Sequence, residues 1–163
     1  MCSSDLWKAE EARIRIEEQQ QRERAARTVD EMNFGEQQPE TDHALTSTRS
    51  RTGRFSDRGY RNASPGGWIE FRMKVNPRVR NILFCTYWGG DARATTEILV
   101  EGQSIAVEHL TASHPDQFFE QEYPIPVDLT KDKEYVTIRF QTREGGGPAA
   151  SVYHAAILVP EGR

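Results

Sequence analysis

The sequence predicts an all-β fold, an antiparallel two-sheet β-sandwich of jelly-roll type, preceded by one N-terminal connector helix. Three observations carry this. Short runs rich in β-branched and aromatic residues recur after residue 67. Turn residues separate them, and none of the intervals has helical periodicity. The chain has 163 residues, room for one ordinary domain. Strands that each bury one face need a second layer, and about six or seven of them make a sandwich.

Residues 8–32 read KAEEARIRIEEQQQRERAARTVDEM, a run of good helix formers without Gly or Pro. Glu11 with Arg15, Glu18 with Arg22 and Glu23 with Arg27 stand four apart, acid first, the favourable order on a solvated helix. Ile14, Ile16, Ala25, Val29 and Met32 form no single stripe, so no coiled coil is expected. A helix that is polar all round bridges to something else. Residues 1–33 therefore read as the tail of a preceding domain, and 34–163 as the sandwich.

From Phe34 to Gly67, Gly and Pro punctuate the chain, and Ser and Thr fill LTSTRSRTGRFS. This predicts a loop region before the first strong strand. GWIEFRMKV then alternates, with Ile69, Phe71, Met73 and Val75 on one face. NILFCTYW is apolar on both faces and reads as a central strand. ATTEILV and QSIAVEHL flank Glu101-Gly102 as a hairpin. FFEQEYPI, EYVTIRFQT and SVYHAAILV complete the set, with EGGGP as a flexible loop before the last.

Composition excludes several classes. There are 21 basic and 25 acidic residues, net −4, so no basic field collects nucleic acid. Two cysteines, Cys2 and Cys85, make neither a disulfide framework nor a four-cysteine zinc site. No apolar run approaches the roughly 20 residues that span a bilayer, and MCSSDLW does not read as a signal peptide. His43, His109, His114 and His154 lack ligand spacing, so neither metal nor cofactor is expected. Cys85 lies in the most apolar strand and reads as inert filler.

Aromatic and polar side chains together are more informative. A sugar ring offers an apolar CH face and a rim of hydroxyls, met by aromatic platforms and by planar amides, carboxylates or guanidinium forks. Tyr60, Trp68, Tyr87, Trp88, Phe118 and Phe119 supply platforms, and Glu36, Gln37, Gln38, Asp57, Arg58, Arg61 and Asp91 supply polar groups. Each of the tryptophans could instead pack the core. GEQQPETDH, with Glu40 and His43, is either a solvated spacer or a buried polar network at a domain seam or ligand.

Gly35-Glu36-Gln37-Gln38-Pro39-Glu40, Asp42-His43, Tyr60-Arg61-Asn62-Ala63, Gly67-Trp68, Cys85-Thr86-Tyr87-Trp88-Gly89, Ile98 to Gly102 and Tyr123-Pro124-Ile125-Pro126 together carry a resemblance. Over roughly residues 28–159 the chain resembles the C-terminal β-sandwich module of bacterial β-L-arabinofuranosidase-like proteins of glycoside hydrolase families 127 and 146. Such parents place catalysis in an α-helical toroid with a zinc-bound cysteine nucleophile. Nothing here matches that set, so no catalytic residue is carried over. The resemblance implies a non-catalytic accessory domain, periplasmic or extracellular with its parent. Its partners would be the catalytic domain of the same chain and an arabinose-containing plant glycan. The alternative it leaves is a purely structural module that braces the catalytic domain.

Overall fold

The computed structural model describes residues 3–90, 92–112, 117–142 and 151–160. In chain order it contains α1 (Ser3–Arg27), β1 (Thr28–Asn33), α2 (Gln37–Asp42), β2 (Thr46–Phe55), β3 (Arg58–Lys74), β4 (Asn81–Trp88), β5 (Ala92–Val100), β6 (Gln103–Thr111), β7 (Phe118–Ile125), α3 (Val127–Thr130), β8 (Tyr135–Gln141) and β9 (Val152–Leu158). The predicted triglycine loop, Cys2, Asp91 and His114 lie outside the described residues.

The strands form one nine-stranded antiparallel sheet that follows the path β6-β5-β8-β3-β9-β4-β7, with β1 off the path on β9 and β2 on β3. Strand β3 joins the two layers. Its C-terminal half pairs with β8, from Trp68↔Gln141 to Lys74↔Tyr135. Near its start Arg61 pairs with Val152 of β9. Alternation then decides the core. Ile69, Phe71 and Met73 of β3, Val136, Ile138 and Phe140 of β8, and Ile98 and Val100 of β5 meet Leu83, Cys85, Tyr87, Ala155 and Ile157 from β4 and β9. Phe34 fills the centre, its ring 5.3 Å from that of Phe71 in an edge-on contact. The periodicity of β3 and β8 and the double-sided apolarity of β4 are thus what one half-exposed and one central position demand.

Two expectations fail at the N-terminal end. The helix stops at Arg27, and residues 28–33 form a strand rather than its last turns. Thr28 Oγ1 donates to the Arg24 carbonyl at 2.7 Å, closing the helix. Arg27 Nε donates to the Val159 carbonyl at 2.8 Å, and Val159 N to the Arg27 carbonyl at 2.9 Å. Pairing with β9 and burial of Met32 at 2% exposure outweigh a local helix preference that is weak to begin with.

The Ser/Thr-rich stretch is likewise not a loop but the long β2–β3 hairpin, turning at Ser56-Asp57 with φ of 51° and 63°. Its first strand is mostly exposed, so it lacks the apolar alternation that marks a strand in sequence. Pro65-Gly66-Gly67 fits because the register jumps from Thr48↔Trp68 to Ser50↔Ala63, leaving those residues in a bulge. The Glu101-Gly102 hairpin forms as expected between β5 and β6.

A smaller cluster of Phe84, Ala156 and Leu158, with Ile82 against it, lies on the outer face of the β4–β9 layer. The Arg24 guanidinium covers the Phe84 ring at 4.6 Å. Through this contact the last turns of α1 rest on the sandwich, while residues 5–23 of the helix are exposed.

Candidate functional site

An aromatic patch gathers where the β2–β3 turn meets the ends of β4, β7 and β9. On β4 the side chains alternate, so Tyr87 points into the core and Trp88 out. Trp88 pairs with Phe118 across to β7, with ring centroids 5.0 Å apart. Between β4 and β9 the register passes from Thr86↔His154 to Tyr87↔Val152, which leaves Tyr153 as the extra residue of a bulge. Its ring meets Phe118 at 4.8 Å and Tyr60 at 5.5 Å. Phe55, the last residue before the turn, lies 4.8 Å from Trp88 and is 44% exposed.

Two glycines allow these rings to lie flat. A Cβ on Gly53 would come within 2.6 Å of the Tyr60 ring, and one on Gly90 within 2.6 Å of Trp88 Nε1. Both backbones therefore serve as surfaces for an aromatic side chain.

Arg58 lies over the patch, its guanidinium 4.6 Å from the Phe118 ring centre and 5.9 Å from that of Tyr153. His154 borders it, with Nε2 3.6 Å from the Glu31 carboxylate and its ring 6.3 Å from Phe84. Burial lowers the His154 pKa below 6.5. Glu31 opposes that shift, and the charges of Arg58 and Arg24 add to it. Aromatic faces, one guanidinium and a neutral imidazole on one half-open surface can stack on a ring and hydrogen-bond to its rim.

The 36–43 segment behaves differently. Residues 37–42 form α2, and its polar groups are used inside the domain. Glu40 accepts from Arg61 at 2.9 and 2.7 Å, a two-pronged pair with side chains only 12% and 16% exposed. It also accepts from the Gly35 N–H at 2.9 Å, while Arg61 reaches Ser50 Oγ at 2.6 Å. His43 places Nδ1 2.7 Å from the Pro39 carbonyl and Nε2 2.9 Å from Asp30. Both partners are acceptors, so the ring is best matched when doubly protonated. Burial works against that charge, but the Asp30 and Pro39 hydrogen bonds and the charges of Asp30 and Asp42 outweigh it and leave the pKa raised above 6.5. Within GEQQPETDH, Glu40 and His43 thus form a polar network that braces α2 against the chain's own sheets, rather than one facing a domain seam or a ligand. Glu36, Gln37 and Gln38 remain exposed, Gln38 donating to Asp42 at 2.8 Å.

The remaining sequence candidates divide. Asp57 sits exposed in the turn beside Arg58, its carbonyl accepting from Arg54 at 2.9 Å. Trp68 lies on the outer face of the other layer, with the Arg139 guanidinium 4.2 Å above it and Arg139 tied to Glu70 at 3.0 Å. It is therefore separated from Trp88 by the sandwich. Tyr87 is fully buried; its hydroxyl lies 2.9 Å from that of Tyr123, which donates to Glu108 at 2.6 Å. It is a core residue, not a platform. Asp91 is outside the described residues. Burial pushes the Cys85 thiol up to about 12, as its position in a central strand demands.

Phe55 and Tyr153 were missed. Phe55 sits in the stretch read as loop, and Tyr153 needs a bulge that no local pattern marks. Among the described residues no group of three potential metal ligands occurs, and no helix is long and apolar enough to cross a membrane.

The architecture is that of the β-sandwiches found in carbohydrate-binding modules. A family 35 carbohydrate binding module from Clostridium thermocellum superposes with a TM-score of 0.57 at 14% identity, over 71% of this chain and 92% of that one. A family 35 module from an environmental isolate gives 0.60 at 12% identity, over 81% and 93%. A CBM35 from Paenibacillus barcinonensis gives 0.53 at 16%, over 80% and 97%. At these identities the likeness is one of fold. The chain itself belongs to the Family of unknown function (DUF6805), whose model matches residues 23–158. No curated protein matches it.

Proposed function

We propose that this chain is a non-catalytic, glycan-binding accessory module of a glycoside hydrolase resembling the β-L-arabinofuranosidases, working in the periplasm or outside the cell on arabinose-containing plant glycan. The observation that carries the reading is the half-open patch of Phe55, Trp88, Phe118, Tyr60 and Tyr153 around Arg58. Rings of this kind, stacked edge to face with one member 44% exposed, match the CH face of a pyranose or furanose. The fold shared with carbohydrate-binding modules and the motif resemblance support it.

Stacking on a partly exposed ring is weak, so a millimolar to high-micromolar Kd is expected, about −4 to −6 kcal/mol. Calorimetric titration of the purified chain with arabinan, arabinogalactan and pectin fragments tests this, and Trp88→Ala should weaken the binding at least about tenfold. If none of these fragments binds, the proposal fails.

One observation favours a second reading, a structural brace for a catalytic domain. Leu6 and Trp7 stand 65% and 68% exposed on α1, beyond the part that touches the sandwich. A parent enzyme whose melting temperature is unchanged when the module is removed would exclude it.

A further inference from the structure

Arg58 differs from the other half-buried arginines of the domain. Arg61 is paired with Glu40, Arg139 with Glu70 and Arg24 with Glu120, and Arg27 donates to the Val159 carbonyl. Arg58 has no carboxylate or carbonyl partner among the described residues; its contacts are the rings of Phe118 and Tyr153. A guanidinium held over aromatic faces loses little freedom on binding and keeps its in-plane N–H groups available. That geometry suits a two-pronged contact with a carboxylate.

The surrounding charges point the same way. Glu120 is taken by Arg24 at 3.6 Å, and Glu31 faces His154 at 3.6 Å from the β1 side. Among the described residues Arg58 is left without a carboxylate to balance it, beside the same rings that would stack on a sugar. A neutral glycan would leave its fork facing only hydroxyls, whereas an acidic sugar unit would fill it.

We propose that Arg58 receives the carboxylate of a uronic acid unit, so that the patch selects acidic over neutral glycans. This rests on the glycan-binding reading above and sharpens its ligand class. The test compares trigalacturonate, its methyl ester and neutral arabinotriose by titration calorimetry against the purified chain. Esterification removes the charge and keeps the ring. The acid should bind at least about tenfold tighter than the ester, and rising salt should weaken the acid but not the ester.

Arg58→Met should bring the acid-to-ester ratio close to one, and Arg58→Lys, which keeps the charge but not the fork, should fall between. If Arg58→Met does not melt cooperatively, the ester and salt comparisons on the unaltered chain decide alone. Equal affinity for acid and ester, or a preference that survives Arg58→Met, overturns the inference. Should arabinotriose bind with no gain for the acid, glycan binding stands and this inference falls. Should no sugar bind, both fall.

Discussion

The Glu40–Arg61 pair offers the sharpest test of how the 36–43 segment works. Glu40→Ala removes both oxygens that Arg61 uses, at 2.7 and 2.9 Å, and the acceptor of the Gly35 N–H. The Arg61 side chain is 16% exposed, so little water replaces what is lost. Breaking a well-buried pair from one side costs about 3–5 kcal/mol. The partial exposure here and the surviving bond to Ser50 reduce that to about 2–4 kcal/mol. At about 2–4 °C per kcal/mol for a domain of this size, the melting midpoint should fall by about 4–16 °C. The double variant Glu40→Gln with Arg61→Met should recover part of the loss, because no buried charge is left alone. Urea unfolding followed by tryptophan fluorescence compares both variants with the unaltered chain, and a titration of the patch ligand should show no change for Glu40→Ala. A loss below about 1 kcal/mol would mean that the pair is no more than a surface ion pair and that α2 is held by something else.

Tyr123→Phe removes the hydroxyl that links Tyr87 to Glu108 and leaves Tyr87 unpaired in the core, so urea unfolding should show a loss of about 1–3 kcal/mol. Cys85, its thiol pushed up to about 12 by burial, should react with an aromatic disulfide reagent at pH 8 only at the rate of unfolding. The two half-buried histidines should act oppositely with pH. His43, raised above 6.5 by its acceptors against the effect of burial, contributes stability that is complete below pH 6.5 and lost as pH rises through its folded value; His43→Gln should therefore cost more at pH 5.5 than at pH 8.5. His154, lowered by burial and by Arg58 and Arg24, makes the fold lose stability as pH falls from 6.5 through its folded value, and His154→Gln should relieve that loss. Unfolding midpoints of the two variants across that range check both signs.

What the sequence revealed depended on whether a strand carries its own environment. Strands β3 and β8 alternate because one face of each is in the core and the other in water, and that contrast is written locally. Strands β1 and β2 carry no such contrast. The first borrows its partner from β9, some 125 residues on, and the second is a mostly exposed edge that pairs with β3. Helix propensity and Ser/Thr content were the only local signals there, and both pointed away from a strand.

The same limit explains the fate of the candidate residues. Tyr87 and Trp88 are neighbours of similar character, yet on a strand only one of two neighbours can face a ligand. NILFCTYW is apolar on both faces, so it gives no phase to say which. The phase comes from Tyr123 across the ladder, whose hydroxyl holds Tyr87 inside. The patch is assembled in the same non-local way, from a turn at 55–60, the end of β4, the start of β7 and a one-residue bulge in β9. Arg58, Tyr60 and Trp88 could be suspected from their type. Phe55 and Tyr153 could not, because what makes them part of a site is the register shift that lifts Tyr153 out of line with Val152. A substitution that restored regular pairing at that bulge would turn Tyr153 away from Phe118 and take with it the surface that carries Arg58.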